Sequence, residues 1–359
     1  MLTKASHRKK ILIIPFCLLV LLAAVDWILT VSVYNRYFGA RVETYEPTKQ
    51  RVEFFDGLER TRYTFPSDRG QLLTGYLYTA GADPRGIIII AGGYGAGHSN
   101  YIQCADYFAK HGYAVFAFDN TGCDESGGDS MIGMPQGVID LEYAISFVEQ
   151  SGNLPSLPIG LFGHSWGGYS VCAVLASHPE IKAVISCAGY NRSESMFIAE
   201  GRTIAGPAVY LTLPFLKLHE LIQFGKYASL TAEDGFAASD ARVMIVQSAD
   251  DDTVLPEFGY DIYYRNHRDD PRFSFLCLEG RGHRFFNIST PYYEEANASL
   301  EQWRDSLDYD YNDPANAGRF AADQAEYIHQ NVNIKALWQN RLDTDLFDRF
   351  LAFYDQSLS

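Results

Sequence analysis

The chain has 359 residues, of which 47% are hydrophobic and 20% are charged. This balance is typical of a folded globular protein and excludes a wholly disordered chain. Its 29 Lys and Arg residues against 44 Asp and Glu residues give a formal net charge of −15. A nucleic-acid partner is therefore not expected, because phosphate binding needs clustered cations.

The first element in the chain is an apolar run that follows a basic segment at residues 1–10. Residues 11–33 contain one ionisable side chain, Asp26, and a helix of that length spans about 34 Å, against about 30 Å for a bilayer core. A cleaved signal peptide is the alternative, but a Leu or Val occupies the position where a small residue should precede the cleavage site. The sequence predicts a single-pass transmembrane signal anchor with a cytoplasmic N-terminus and an extracytoplasmic domain.

Beyond a juxtamembrane connector at residues 34–50, strand-like and helix-like segments alternate. Residues 62–67 and 71–80 alternate apolar and polar side chains, as half-exposed antiparallel strands do. The continuous apolar runs that follow are typical of strands buried on both faces, at residues 86–90, 114–119, 158–162, 182–187, 242–248 and 273–279. The pattern predicts the α/β class, with a mostly parallel central sheet flanked by helices.

Two segments interrupt this alternation, one within and one after a predicted domain at residues 51–290. Residues 190–240 are too long for a simple crossover and are apolar with helical spacing, which predicts an inserted helical lid. Residues 291–359 carry acidic and aromatic helix-like segments. They are predicted to form a C-terminal helical extension.

A candidate nucleophile lies where one of the buried strands ends. The stretch IGLFGHSWGGYSV at residues 159–171 leads from an apolar strand through Ser165 into a helix-like segment. Gly163 and Gly167 permit the sharp strand-to-helix turn that lifts a serine hydroxyl above the sheet. An ordinary hydroxyl in a glycine-rich turn is the alternative, and the strand-turn-helix context favours a nucleophile.

A serine nucleophile needs an imidazole base that a carboxylate orients. Residues 250–252 are three aspartates after one buried strand, and His283 follows the next strand, at the strand ends where such sheets keep their sites. A metal site at the aspartates is the weaker alternative, since no second acidic cluster has ligand spacing. Five other histidines are assigned to loops, helix ends and the lid: His98, His111, His164, His178 and His219.

An oxyanion formed during acyl transfer needs two convergent N–H donors. One is expected from the backbone of Trp166, directly after the candidate nucleophile. The other is expected from the loop AGGYGAGHSNY at residues 91–101, whose glycines permit close backbone approach. This chemistry needs no cofactor and no metal.

Four sequence blocks together resemble the α/β-hydrolase superfamily, closest to its serine aminopeptidase-like and monoacylglycerol-lipase-like branch, over residues 60–290. The blocks are GGYGAGHSNY, GYAVFAFDNTGCDESGG, GHSWGG, and SADDDTVLP with GRGH. The resemblance implies the α/β-hydrolase fold and Asp251 as the acid, because the family's acid lies three residues before a Val. It also implies the Tyr94 amide as second oxyanion donor. The family usually has His-Gly where this chain has Gly92 and Gly93, so an adjacent residue is the alternative donor.

Together these residues predict a membrane-anchored serine hydrolase in which Ser165 attacks a carboxylic ester, His283 transfers the proton and an acyl-enzyme forms. The apolar lid predicts a preference for short to medium acyl chains. One alternative is a serine aminopeptidase acting on short peptides, whose substrate ammonium would be held by lid carboxylates: Glu194, Glu200 and Glu220. The other alternative is a binding module that has the same fold but no catalytic activity. The expected partners are a small-molecule ester or short peptide and, through the N-terminal helix, the membrane.

Overall fold

A computed structural model of the chain shows that the apolar runs form one eight-stranded sheet. The structure describes residues 2–81, 83–152 and 154–358, with side chains from residue 15 onward. The side chains of the predicted basic segment at residues 1–10 lie outside this description. The strands are β1 (Glu59–Pro66), β2 (Leu72–Thr79), β3 (Ile87–Ala91), β4 (Ala114–Phe118), β5 (Ile159–His164), β6 (Ala183–Cys187), β7 (Arg242–Ser248) and β8 (Phe273–Leu278).

The sheet is mixed, with the strand order β1-β2-β4-β3-β5-β6-β7-β8. β1 pairs with β2, and β2 with β4, in antiparallel fashion, and the other five pairs are parallel. The prediction of a mostly parallel sheet flanked by helices is therefore confirmed. Because β3, β5, β7 and β8 run in the same direction, the loops after them meet at one edge of the sheet.

Twelve α-helices accompany the sheet among the described residues. The first six are α1 (Leu2–Phe38), α2 (Ile102–Lys110), α3 (Met134–Gln150), α4 (Trp166–Ala173), α5 (Glu194–Ala205) and α6 (Val209–Phe224). The last six are α7 (Ala232–Ala238), α8 (Tyr260–His267), α9 (Pro291–Asp305), α10 (Ala317–Asn331), α11 (Ile334–Trp338) and α12 (Thr344–Ser357).

Helices cover both faces of the sheet, so the central strands bury side chains on both sides. In β3, Ile87 and Ile89 belong to the core that includes residues of α3 and α4. Ile88 and Ile90 belong to the core that includes residues of α2 and α12. Each such burial contributes about 1.5–3 kcal/mol, which explains why β3 is a continuous apolar run and not an alternating one.

The last helix, α12, is part of this core. Its residues Phe347, Phe350 and Tyr354 are fully buried, and the Tyr354 hydroxyl donates to the carbonyl oxygen of Leu161 in β5 at 2.7 Å. The predicted domain end at residue 290 therefore leaves out a helix that covers the sheet. The sequence of α12 shows an apolar face, but nothing local in it shows which surface that face meets.

The N-terminal helix continues beyond the predicted span, which ended at residue 33. Its segment Pro15–Phe38 contains an 18-residue window with a mean hydropathy of 2.4 and is long and apolar enough to cross a membrane. The predicted connector at residues 34–50 thus begins as helix. Tyr34 and Phe38 are both buried, and their rings lie 4.7 Å apart between centroids. Their packing against the body of the protein explains why the helix extends to this point.

The chain between β6 and β7 forms α5, α6 and α7, where the sequence predicts an inserted lid at residues 190–240. Helix α6 packs along both α1 and α5. Helix α7 returns to pack on α4, and it begins at a capping box in which Thr231 accepts the N–H of Asp234. The inserted helices α5 and α6 therefore lie next to the N-terminal helix.

Candidate active site

Ser165 lies at the sharp turn between β5 and α4. Its backbone has φ 57° and ψ −114°, a conformation that is strained for a residue with a side chain. A Cβ at Gly163 would collide with the carbonyl oxygen of Gly167, and a Cβ at Gly167 would collide with that of Ala91. Both glycines are therefore required for β3, β5 and α4 to approach each other, and Ser165 is held at the amino end of α4.

Asp251 follows β7 and contacts the imidazole of His283. Its Oδ2 lies 2.9 Å from His283 Nδ1. Its Oδ1 accepts the backbone N–H groups of Thr253 at 3.0 Å and Val254 at 2.9 Å. Burial opposes ionisation of Asp251, but the hydrogen bonds from His283 and these amides outweigh it and lower the pKa of the carboxyl. Asp251 is therefore positioned as an anionic partner of the imidazole.

The two neighbouring aspartates have different environments. Asp250 is exposed, and its Oδ1 accepts from Ser248 Oγ at 2.6 Å and from the N–H of Arg281 at 3.0 Å. Its Oδ2 accepts the N–H of Gly282 at 3.2 Å. Asp252 is exposed. Asp250 thus holds the loop that precedes His283, whereas Asp251 contacts the ring itself.

The loop of His283 also contacts Asp343, at the N-terminus of the last helix, α12. Arg281 Nη2 donates to Asp343 Oδ2 at 2.6 Å and to the carbonyl oxygen of Phe285 at 2.8 Å. The N–H of Asp343 donates to the carbonyl oxygen of Phe286 at 2.9 Å. Asp343 also caps α12 by accepting the N–H of Leu346. The N-terminus of α12 therefore fixes the loop that carries the imidazole.

Within the described ranges, Ser165 Oγ makes no hydrogen bond to His283. His283 lies beside His164, with 4.7 Å between the ring centroids. Because Nδ1 of His283 faces Asp251, the free ring position is Nε2. Contacts between a nucleophile and its base are often long in a site without substrate. The structure thus brings Asp251 and His283 together and leaves the contact with Ser165 open.

The two expected oxyanion donors are free to bind a ligand. Among the described residues, neither the N–H of Tyr94 nor that of Trp166 has an acceptor. The N–H of Gly93, the adjacent alternative, donates to the Tyr101 hydroxyl at 2.8 Å. A Cβ built on Gly93 would lie 3.4 Å from Cβ of Ser165, so the loop passes directly over the serine. Occupation of the Gly93 amide favours Tyr94 over Gly93 as the donor.

Tyr101 and His164 form a hydrogen-bonded chain that sequence reasoning did not find. His164 Nε2 lies 3.1 Å from the carbonyl oxygen of His283 and must donate to it, so Nδ1 accepts from the Tyr101 hydroxyl at 3.2 Å. Burial and the neighbouring His283 charge lower the pKa of His164 to about 3, which keeps it neutral. These hydrogen bonds link Gly93, in the loop at residues 91–101, to the backbone of His283. The only sequence signal was the position of Tyr101 in the same loop.

The remaining histidines make other contacts. His98 Nδ1 lies 2.8 Å from Asp119 Oδ1, and both residues are buried. His178 pairs with Glu180 at 2.7 Å and, with Glu149, places three possible metal ligands within 4.8 Å. That group lies at the amino ends of the strands, opposite Ser165, and both carboxylates are exposed. Neither pair belongs to the candidate site.

Known proteins share this architecture. A model of the family "Serine aminopeptidase, S33" matches residues 82–229. The solved structure of an esterase from Pyrococcus furiosus superposes with a TM-score of 0.51 at 19% identity, covering 68% of this chain and 90% of that one. The chain therefore has the α/β-hydrolase fold, and the partial sequence match supports an α/β-hydrolase superfamily assignment. The predicted fold is thereby confirmed.

Two curated relatives share part of the sequence. The monoacylglycerol lipase of Mycolicibacterium smegmatis is 30% identical over 128 residues, which is 33% of this chain and 43% of the relative. The bis(hydroxyethyl) terephthalate hydrolase of Streptomyces coelicolor is 27% identical over 196 residues, 48% of this chain and 60% of the relative. The chain thus spans about half the length of the curated relatives it matches.

Ser165 opens into a cavity of about 240 Å³. One side, here called the sheet wall, comes from the strand-end loops and contains Tyr94, Ser165, Trp166 and Thr253. The other side, here called the helical wall, comes from α1, α5 and α6: Val33, Tyr34, Tyr37, Phe38, Met196, Phe197, Glu200, Gly201, Ile204, Leu216 and Glu220. His283 is not among the lining residues. The cavity is therefore mostly apolar, with polar groups at a few positions.

The three glutamates of the inserted segment differ in their contacts. Glu220 is buried in the helical wall and accepts from Ser193 Oγ at 2.7 Å and from the Tyr34 hydroxyl at 3.3 Å. Burial raises the pKa of the Glu220 carboxyl to about 7. Glu200 is exposed and accepts from the Tyr37 hydroxyl at 3.2 Å. Glu194 pairs with a lysine of α6 at 3.1 Å. Only Glu200 and Glu220 face the cavity.

Proposed function

We propose that this α/β-hydrolase is a membrane-anchored serine hydrolase that cleaves carboxylic esters. The observation that carries the proposal is Ser165, which has a strained backbone and lines a cavity, with the Asp251–His283 pair on the neighbouring loops. A strained serine of this kind is typical of a nucleophile presented by a strand-turn-helix element. The names of the esterase and lipase relatives support the same class of reaction.

In the first half of the reaction, Ser165 Oγ attacks the ester carbonyl carbon while His283 Nε2 takes the hydroxyl proton. The carbonyl oxygen becomes an oxyanion, which the N–H groups of Tyr94 and Trp166 stabilise. The intermediate collapses, the alcohol leaves with the proton from His283, and the acyl group stays on Ser165. Water then attacks the acyl-enzyme by the same steps and releases the acid.

Asp251 supports both halves of this cycle. Its lowered pKa keeps it ionised at neutral pH, and the bond to Nδ1 leaves Nε2 as the position that exchanges protons with Ser165. The anion also stabilises the imidazolium that forms in each half. Nucleophile, base and oxyanion donors all come from the protein, so the reaction needs no cofactor or metal.

The anchor part of the proposal is based on α1, whose segment Pro15–Phe38 is long and apolar enough to cross a membrane. The basic residues before it favour a cytoplasmic N-terminus, which leaves the hydrolase domain outside. Protease added to intact cells or spheroplasts should then degrade the domain. Protection of the domain until the cells are lysed would contradict this orientation.

The apolar cavity favours esters over peptides. Each buried CH₂ of an acyl chain contributes about 0.8 kcal/mol, so kcat/KM should rise with chain length until the cavity is full. A serine aminopeptidase is the second candidate, because Glu200 and Glu220 both line the cavity with Ser165. Ionised carboxylates in this cavity would bind the ammonium group of a peptide substrate.

The proposal is tested on the purified full chain with a fluorophosphonate probe and two substrate series. Wild type should be labelled, and Ser165→Ala should lose labelling and at least about 10⁴-fold in kcat/KM. p-Nitrophenyl esters of two to twelve carbons should be hydrolysed with a dependence on chain length, and aminoacyl and prolyl arylamides poorly. Efficient arylamide cleavage with a flat ester profile would favour the aminopeptidase, and absence of labelling would indicate a silent binding module.

A further inference from the structure

The anchor helix contributes a wall of the substrate cavity. Tyr34 and Phe38 of α1 are 2% and 7% exposed and line the cavity that contains Ser165. The ring of Phe38 lies 5.8 Å from that of Tyr94, and the Tyr94 hydroxyl donates to the carbonyl oxygen of Tyr37. The end of α1 thereby contacts the loop at residues 91–101.

The apolar mouth of the cavity lies where α1 meets α5. Val33 and Tyr37 of α1 and Ile204 of α5 line the cavity and are 40%, 37% and 73% exposed. Tyr37 also donates to Glu200 of α5 at 3.2 Å, so the two helices meet at the rim. Val33 belongs to the segment that is apolar enough to cross a membrane. The mouth is therefore level with the outer end of that segment.

Helix α6 extends along α1 below this mouth. The ring of His219 lies 4.8 Å from Tyr34 and 6.1 Å from Trp27. These two α1 residues are about 10 Å apart along the helix axis, so α6 lies against the last turns of the segment that is apolar enough to cross a membrane. The inserted segment also exposes large apolar side chains: Ile204, Tyr210, Leu211, Leu218, Leu221 and Ile222.

We infer that α6 and the end of α5 lie in the outer boundary of the bilayer that α1 crosses, and that the substrate is an amphiphilic ester entering from the bilayer. The ester enters between α1 and α5 and places its acyl chain against Tyr34 and Phe38, with its carbonyl at Ser165. The inference rests on the proposed function. It makes residues of the anchor helix determinants of acyl-chain specificity.

The entry route is tested with the full chain in phosphatidylcholine vesicles. Ile204→Trp narrows the mouth, and Leu72→Trp makes a similar change at an exposed position of β2 that does not line the cavity. Two substrates are compared, water-soluble p-nitrophenyl acetate and bilayer-partitioned p-nitrophenyl dodecanoate. In Ile204→Trp, the loss of kcat/KM for dodecanoate should exceed the loss for acetate at least fivefold. Equal losses, or the same pattern in Leu72→Trp, would overturn the entry route.

The membrane contact is tested independently of activity. Cys17 and Cys277 are the exposed thiols, so both are changed to Ser, and a single Ile222→Cys is labelled with an environment-sensitive fluorophore. Brominated phosphatidylcholine should quench this fluorophore, but not one at Glu149→Cys, which is exposed at the amino ends of the strands. Equal quenching at both positions, or none at residue 222, would overturn the inference.

The two levels of proposal fail in different ways. A chain that does not react with a fluorophosphonate, or does not sediment with the vesicles, contradicts the proposed function itself. A chain that reacts and sediments but shows no quenching at residue 222 contradicts the bilayer contact of α6. Fluorophosphonate labelling of each variant also shows that Ser165 is still reactive and that the site around it is intact.

Discussion

The sheet wall and the helical wall of the cavity are stabilised in different ways. On the sheet wall, Ser165 and the loops of Asp251 and His283 are fixed by backbone hydrogen bonds and tight glycine contacts at strand ends. On the helical wall, α1 and α6 meet through side chains, such as the Tyr34–Glu220 contact between residues 186 positions apart. Substitutions on the sheet wall should therefore change kcat, whereas those on the helical wall should change stability and substrate preference.

The largest expected effect tests the role of Asp251 behind the sheet wall. Asp251→Asn removes the anion that orients His283, and we expect kcat for p-nitrophenyl acetate to fall by about 10³–10⁴-fold. Asp252→Asn changes an exposed side chain and should have less than about a twofold effect. Asp250→Asn weakens the hydrogen bonds to the loop before His283, so its loss of kcat should be intermediate between those of the other two variants. A larger loss of kcat at residue 250 or 252 than at residue 251 would show that Asp251 is not the acid.

The second prediction concerns the helical wall and a pH-dependent stability. Folding raises the pKa of Glu220 to about 7, above about 4.3 in an unfolded chain. Between these pKa values the folded state holds the proton more tightly, so the free energy of unfolding falls as pH rises, and the loss reaches about 4 kcal/mol above pH 7. Glu220→Gln removes this dependence. Its Tm should therefore exceed that of wild type by more at pH 8 than at pH 5.

Glu200→Gln is the matched control for this experiment, because Glu200 lines the same cavity but is exposed. Its Tm relative to wild type should not depend on pH in this range. Tm is measured by intrinsic fluorescence of the full chain in detergent micelles from pH 5 to pH 8. If the Glu220→Gln difference is the same at both ends of the range, the buried carboxyl does not titrate as described.

The smallest expected effect concerns Tyr101, which lies behind the sheet wall and contacts Gly93 and His164. Tyr101→Phe removes the hydroxyl that accepts from Gly93 and donates to His164, so we expect kcat to fall about tenfold while KM changes less than about twofold. Tyr113→Phe is the control, since its hydroxyl donates to Asp355 near the amino ends of the strands. Similar kinetic losses in the two variants would show a general loss of stability and not a positioning role.

The sequence predicted the sheet wall better than the helical wall, for a physical reason. Each strand and the turn after it are contiguous in the chain, so the apolar run before Ser165 and the glycines around it are visible as one pattern. The packing of Tyr34 against α6 depends on two distant apolar helices, and neither sequence indicates its partner. The predicted connector at residues 34–50 and the domain end at residue 290 differ from the structure for this reason.

The Tyr101–His164 chain shows a second limit of sequence reasoning. The sequence favours His283 over His164 as the base, and the structure shows what a histidine does at position 164: its two ring nitrogens join a hydroxyl to a backbone carbonyl. That role depends on where the His283 loop lies in space. No spacing along the chain indicates it.

The contact between Asp343 and the loop of His283 has a consequence for biosynthesis. Asp343 lies 178 residues after Ser165, so Arg281 meets its partner only after a long stretch beyond the serine has left the ribosome. All eight strands are complete earlier, because the last one ends at Leu278. We therefore expect nascent chains that stop before α12 to remain unreactive toward fluorophosphonate. Ser165 would then become reactive only after α12 has been made.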